Sequence, residues 1–70
     1  MPEFKQGQKI ERIFWSEGEA IITGENGVKS ITVVMEYGQM AAVPWFRVFF
    51  DNGDIYKYNA ATLQGVKLLE

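Results

Sequence analysis

The segment 46-FRVFFDNGDIYKY-58 contains the strongest hairpin signal in this 70-residue chain, because two strand-like segments flank an Asn-Gly pair. Segments 46–51 and 55–58 are rich in the aromatic and β-branched residues that favour strands. Asn52 and Gly53 tolerate the positive φ angles of a two-residue hairpin turn. The sequence therefore predicts an antiparallel hairpin in which Phe50 faces Ile55.

This register predicts two faces for the hairpin, and the period-two pattern is satisfied almost equally with either face interior. One face carries Phe46, Val48, Phe50 and Ile55, which suits the barrel interior. The opposite face carries Trp45, Arg47, Phe49, Tyr56 and Tyr58. A solvent-facing side of a sheet is ordinarily polar, so we expect this aromatic face to dock onto another molecule. The alternative is a strongly bent sheet that partly covers both faces of the hairpin within one copy of the chain.

Further strands are predicted on both sides of the hairpin. Segments 9–15, 19–23 and 30–37 precede it, and the third alternates apolar and polar residues with the period of a half-buried strand. Segment 60–65 predicts a single helical or 3₁₀ turn before a last strand at 66–69. The expected fold is all-β, a small barrel of about five strands in one domain spanning residues 1–70.

The connection before the hairpin, 37-YGQMAAVPWF-46, is apolar where polar residues are usual. Pro44 fixes its own φ and biases Val43 toward an extended conformation, so the segment would present Trp45 at low entropic cost. Tyr, Trp, Phe, Met and Arg are enriched at protein interfaces. We therefore predict a binding surface formed by Met40, Trp45, Arg47, Phe49, Tyr56 and Tyr58.

Composition indicates the kind of partner. A 70-residue barrel has little interior, yet 47% of the residues are hydrophobic and ten are aromatic. Because most soluble oligomers are symmetric homo-oligomers, we expect self-association, with a protein or small-molecule ligand held on the aromatic surface or between copies. The alternative is a single-stranded nucleic acid stacked on the same rings, which the net charge of −2 does not favour.

Missing residue types exclude several chemistries. Without His or Cys, the Ser-His-Asp and Cys-His arrangements and the usual zinc ligand sets cannot form. The carboxylate pairs Glu17/Glu19 and Asp51/Asp54 flank predicted turns, where solvated acids are normal. We therefore predict a protein that is not an enzyme, with no catalytic residue, metal or cofactor.

No apolar run approaches 18 residues and no leader pattern is present, which predicts a cytoplasmic protein without a membrane span.

Four segments together resemble SH3-like and Tudor-like small barrels: 4-FKQGQKI-10, 18-GEAIIT-23, 46-FRVFFDNGDIYKY-58 and 61-ATLQGVKLL-69. The resemblance implies an SH3-like barrel and no particular activity. Segment 38–46 also resembles short uncharacterised proteins of bacteria and phages, which implies an accessory role such as inhibiting or sequestering a host factor. Segment 55–63 is similar to the pore strand of the plasmid-borne dihydrofolate reductases, small barrels active as tetramers, and this similarity implies a site shared between copies.

Overall fold

The computed structural model describes residues 4–38 and 41–69, and within these ranges the chain forms six strands and one 3₁₀ helix. In chain order they are β1 (Lys9–Phe14), β2 (Ala20–Ile22), β3 (Val28–Tyr37), β4 (Ala42–Phe50), β5 (Ile55–Asn59), the 3₁₀ helix (Ala60–Thr62) and β6 (Gly65–Leu68). Every strand pairing among them is antiparallel. The predicted all-β class and the 3₁₀ turn before the last strand are confirmed.

The sheet curls into a half-barrel. Its strands follow the order β2-β1-β3-β4-β5, and β6 returns to pair with β1. β1 pairs with β2 and β3 along one edge, so β6 occupies its other edge. Within the described residues β5 and β6 are not paired with each other, which leaves the half-barrel open on that side.

The core is thin, as expected for a short chain. Its buried side chains come from the inward positions of β1, β3 and β4, together with Val28 at the start of β3. They are Ile10, Ile13, Val28, Ile31, Val33, Phe46 and Val48. No polar or charged side chain is buried in the part of the chain that the structure describes. The predicted alternation of β3 is confirmed, because Ile31 and Val33 are buried while Thr32 between them is not.

The apolar connection before the hairpin is mostly strand. β4 begins at Ala42 rather than at the predicted residue 46, and the Gly38 N–H donates to the Ala41 carbonyl over 3.0 Å. Pro44 is compatible with this strand because it opposes Met35 in a non-hydrogen-bonded pair, where its missing N–H costs no bond to β3. The connection therefore shrinks to residues 38–41, of which 39–40 lie outside the described residues.

A turn one residue longer than predicted joins β4 to β5. Asn52 does not adopt a positive φ, whereas Gly53 does, at 94°. The Gly53 N–H donates to the Phe50 carbonyl (3.0 Å), and the Phe50 N–H donates to the Asp54 carbonyl (2.9 Å). These bonds define a three-residue loop in which Asp51 and Asn52 form the turn and Gly53 adds a bulge. The Asn52 Oδ1 atom accepts from the Asp54 N–H at 2.9 Å and fixes this arrangement.

The longer turn shifts β5 by one residue against the predicted register. The observed pairs are Trp45–Asn59, Phe46–Tyr58, Arg47–Lys57, Val48–Tyr56 and Phe49–Ile55. Directly opposed residues share a face, so Tyr58 lies on the face of Phe46 and Ile55 lies on the face of Phe49. Phe46 and Val48 are interior, as predicted, but the predictions that Ile55 is interior and that Tyr56 and Tyr58 join Trp45 are wrong.

Gly53→Ala tests the role of this turn in setting the register. An alanine forced into the left-handed region costs about 1–2 kcal/mol, so the free energy of unfolding should fall by that amount. Gly38→Ala is the matched control, because Gly38 has no positive φ and the nearest atom to an added Cβ is the Ala41 carbonyl oxygen at 3.6 Å. Urea unfolding followed by tryptophan fluorescence measures both variants, and equal losses would contradict the assignment.

Candidate functional site

The predicted binding residues divide between the two faces of the sheet. Trp45, Arg47 and Phe49 lie together on the outer face of β4, and each is half-buried. Tyr56 and Tyr58 lie on the inner face. Met40, the sixth predicted residue, lies outside the described residues. The structure therefore brings together three of the predicted residues and separates two from them.

Cationic side chains partly cover the outer aromatic rings. The Lys57 Nζ atom lies 5.0 Å from the centroid of the Trp45 ring and forms an ion pair with Glu36 on β3. The Arg47 guanidinium lies 6.0 Å from the Phe49 ring. Such cation–π contacts hold each cation against its ring. The outer face is consequently a mixed surface, in which Arg47, one of the predicted residues, and Lys57, which was not among them, lie beside the aromatic rings.

On the inner face, the two tyrosines pack against aromatic neighbours. Tyr58 meets Trp15 edge-on with the ring centroids 5.3 Å apart, and Tyr56 meets Phe50 in the same manner at 5.2 Å. Burial raises the pKa of the Tyr58 phenol, and the neighbouring Tyr56 raises that pKa further. These contacts assign Tyr58 to the margin of the core, where its ring extends the packing of Phe46.

The raised pKa of Tyr58 predicts a loss of stability in alkali. Its phenol ionises more readily in the unfolded chain, so the stabilisation is complete below about pH 10 and is lost as the pH rises through the folded-state pKa. In Tyr58→Phe, the free energy of unfolding should decrease less than in the wild type as the pH rises from about 9 to about 11. Tyr37→Phe, which removes a tyrosine that is 82% exposed, is the control and should keep the wild-type slope. Urea midpoints across that pH range provide the measurement, and an unchanged slope in Tyr58→Phe would contradict the prediction.

An apolar groove of about 750 Å³ opens between the start of β4, the 3₁₀ helix and the start of β6. Met35 and Pro44, opposed across the β3–β4 ladder, line it together with Phe4, whose ring packs edge-on against Phe46 at 5.3 Å. Ala61 and Leu63 line it from the 3₁₀ helix and the residue that caps its C-terminal end. The groove lies on the open side of the half-barrel. Because the described strands β5 and β6 do not close the sheet there, a concave apolar surface remains exposed in so small a domain.

The groove offers little polar chemistry. Asn59 and Gln64 are the polar residues that line it within the described part of the chain. The Asn59 Oδ1 atom already accepts the Ala61 N–H at 2.8 Å, and its carbonyl accepts the Thr62 hydroxyl at 2.7 Å. Asn59 therefore caps the 3₁₀ helix, and the groove suits an apolar ligand with few hydrogen-bonding groups.

None of the five predicted binding residues that the structure describes lines the apolar groove. Tyr58 instead borders a shallower hollow of about 480 Å³ with Trp15 and Glu19. No local pattern in the sequence indicates the groove, because Met35 and Pro44 lie far along the chain from the segment Ala60-Ala61 and Leu63. Small residues beside a 3₁₀ turn leave room for a ligand, but only the fold brings them opposite Met35.

Compared with known protein families, with characterised proteins and with solved structures, the chain shows no significant match in any of the three comparisons. Across residues 4–38 and 41–69 no cluster of three or more potential metal ligands occurs. The same ranges contain no helix with the length and apolar character needed to cross a membrane.

Proposed function

We propose that this chain is a non-catalytic, self-associating binding module that takes a small apolar ligand, or apolar side chains of another protein, in the apolar groove. The observation that carries the proposal is the groove itself. Its volume of about 750 Å³ lies within the range typical of ligand sites, and its lining is predominantly apolar. A concave apolar surface of this size is unusual in a domain with so small a core.

A non-catalytic role is supported by the chemistry of the lining. The described residues around the groove carry no titratable side chain. General acid–base and nucleophilic catalysis both require a group that can exchange a proton or be activated by one. Glu36, which is adjacent in sequence to the lining residue Met35, pairs with Lys57 on the outer face of the sheet.

An SH3-like barrel is the finer fold assignment that we propose. It is supported by the order of the elements, in which a 3₁₀ turn after β5 leads into a last strand that pairs with the first. The small barrels that the sequence resembles often carry a Leu just before the closing strand, and Leu63 stands two residues before β6 here. The open side between β5 and β6 is where the apolar groove lies, so fold and proposed function are connected.

Binding of the neutral fluorescent dye Nile red tests the groove. The wild-type protein should bind the dye, and Ala61→Glu should weaken binding at least about fivefold, because it places a carboxylate where the dye excludes water. Ala41→Glu is the matched control, since it makes the same change at an exposed alanine that does not line the groove. Fluorescence titration gives both affinities.

The two variants also define the outcome that would contradict the proposal. If Ala61→Glu and Ala41→Glu bind the dye with equal affinity, the groove is not the binding site. The same conclusion follows if the folded wild type does not bind the dye. Urea unfolding of each variant checks that a loss of binding is not a loss of folding.

A further inference from the structure

The margin of the sheet at β5 carries unpaired backbone groups. The Phe50 N–H donates to the Asp54 carbonyl, and antiparallel ladders alternate, so Tyr56 and Tyr58 direct their backbone groups toward β4. The N–H and C=O groups of Ile55 and Lys57 consequently point away from the sheet. No described strand pairs with this second edge of β5.

This edge is long and accessible by comparison with the other marginal strands. β5 has five residues, whereas β6 has four and β2 has three. Ile55 is 56% exposed and Tyr56 is 52% exposed. An exposed edge with apolar side chains is a template for another strand.

The usual protection of such an edge is absent from β5. Lysine side chains commonly block edge strands by keeping a hydrated charge beside the free backbone groups. Here the Lys57 side chain turns back across β4, where its ammonium contacts the Trp45 ring and pairs with Glu36. Its charge is thus drawn away from the edge, and the backbone of Ile55 and Lys57 is left open to a partner.

We propose that a second copy of this chain pairs with the edge, β5 against β5 in antiparallel orientation, about a two-fold axis that passes at Tyr56. In this register Ile55 of each copy faces Lys57 of the other, and the four outward N–H groups of these residues each find a carbonyl. The two Tyr56 rings meet as a cross-strand pair on the inner face, which adds aromatic contact to the backbone bonds.

Charge and existing hydrogen bonds select this register over its neighbours. An axis at Lys57 would place the two lysines directly opposite each other, and it would require the Asn59 carbonyl, which already accepts the Thr62 hydroxyl. An axis at Ile55 would require Gly53, whose N–H already bonds to the Phe50 carbonyl within the turn. Of these three axes, only the axis at Tyr56 forms four backbone bonds without the Asn59 carbonyl or the Gly53 N–H, and such self-complementarity is the property of a two-fold interface.

The dimer would also complete the apolar groove, so this inference rests on and deepens the proposed function. In the Tyr56-centred register, Asn59 of one copy lies opposite Gly53 of the other. The turn with Asp51 and Asp54 of the second copy then stands beside the mouth of the groove, which Asn59 and Ala60 line. The ligand site becomes an inter-subunit pocket with an acidic rim.

Lys57→Pro tests the edge pairing. Proline removes the outward N–H without breaking the ladder to β4, because residue 57 occupies a non-hydrogen-bonded position opposite Arg47. Light scattering across a concentration series should show a dimer for the wild type and a dimerisation constant at least about fivefold weaker for Lys57→Pro. Lys57→Ala is the matched control, since it removes the same side chain but keeps the N–H, and it should remain a dimer.

Single cysteines test the register by a route that does not depend on proline folding correctly. Because the chain contains no cysteine, Tyr56→Cys should cross-link rapidly under mild oxidation, as opposed residues in a non-hydrogen-bonded pair have Cα atoms within disulfide range. Lys57→Cys should cross-link much more slowly, since each copy's residue 57 faces residue 55. Faster cross-linking of Lys57→Cys would overturn the proposed axis.

The outcomes separate this inference from the proposed function. A wild type that stays monomeric throughout the series would overturn the dimer and leave the edge to an extended strand of another protein. Nile red binding by that monomer, weakened by Ala61→Glu, would still support the groove. A persistent dimer without dye binding would contradict the groove alone.

Discussion

The left-handed conformation of Gly53 is the constraint from which both faces of the sheet follow. With φ at 94°, it adds a bulge to the β4–β5 turn and offsets β5 by one residue. Because side chains alternate along a strand, this offset moves every side chain of β5 to the other face. Tyr58 is thereby brought to the core margin against Trp15, and Lys57 is brought to the outer face beside Trp45.

That placement of Lys57 explains how an aromatic ring on the outer face is partly covered in a domain whose core is too thin to bury it. The ammonium lies against the Trp45 ring and pairs with Glu36, so one side chain joins three strands across the outer face. Exposed ion pairs contribute at most about 1 kcal/mol, and the packing of the lysine stem over the ring adds apolar contact. The same contact draws the lysine side chain away from the free edge of β5. The cover over Trp45 on the outer face and the exposed backbone of the β5 edge therefore have one cause.

The open side of the half-barrel gives rise to both the apolar groove and the unpaired edge. β6 pairs with β1 and, among the described residues, not with β5. A gap therefore runs beside the 3₁₀ helix, where Met35, Pro44 and Leu63 form a concave apolar surface, and the backbone of β5 faces solvent. Pairing a second copy along that edge would extend the sheet and enclose the groove, so one geometric feature can serve both self-association and ligand binding.

The all-β class, the alternation of β3 and the 3₁₀ turn before the last strand are predictable from the sequence, because they follow from local periodicity and turn chemistry. The sequence does not show which face of the hairpin is interior, since its period-two pattern fits either face. It did not determine the β4–β5 register, since Asn-Gly is compatible with both a two-residue turn and a bulged one. Nor could it locate the groove, whose walls lie far apart in the chain. Which aromatic side chains share a face, and which edge stays open, emerge only in the folded chain, because both depend on the pairing of strands and not on any one strand.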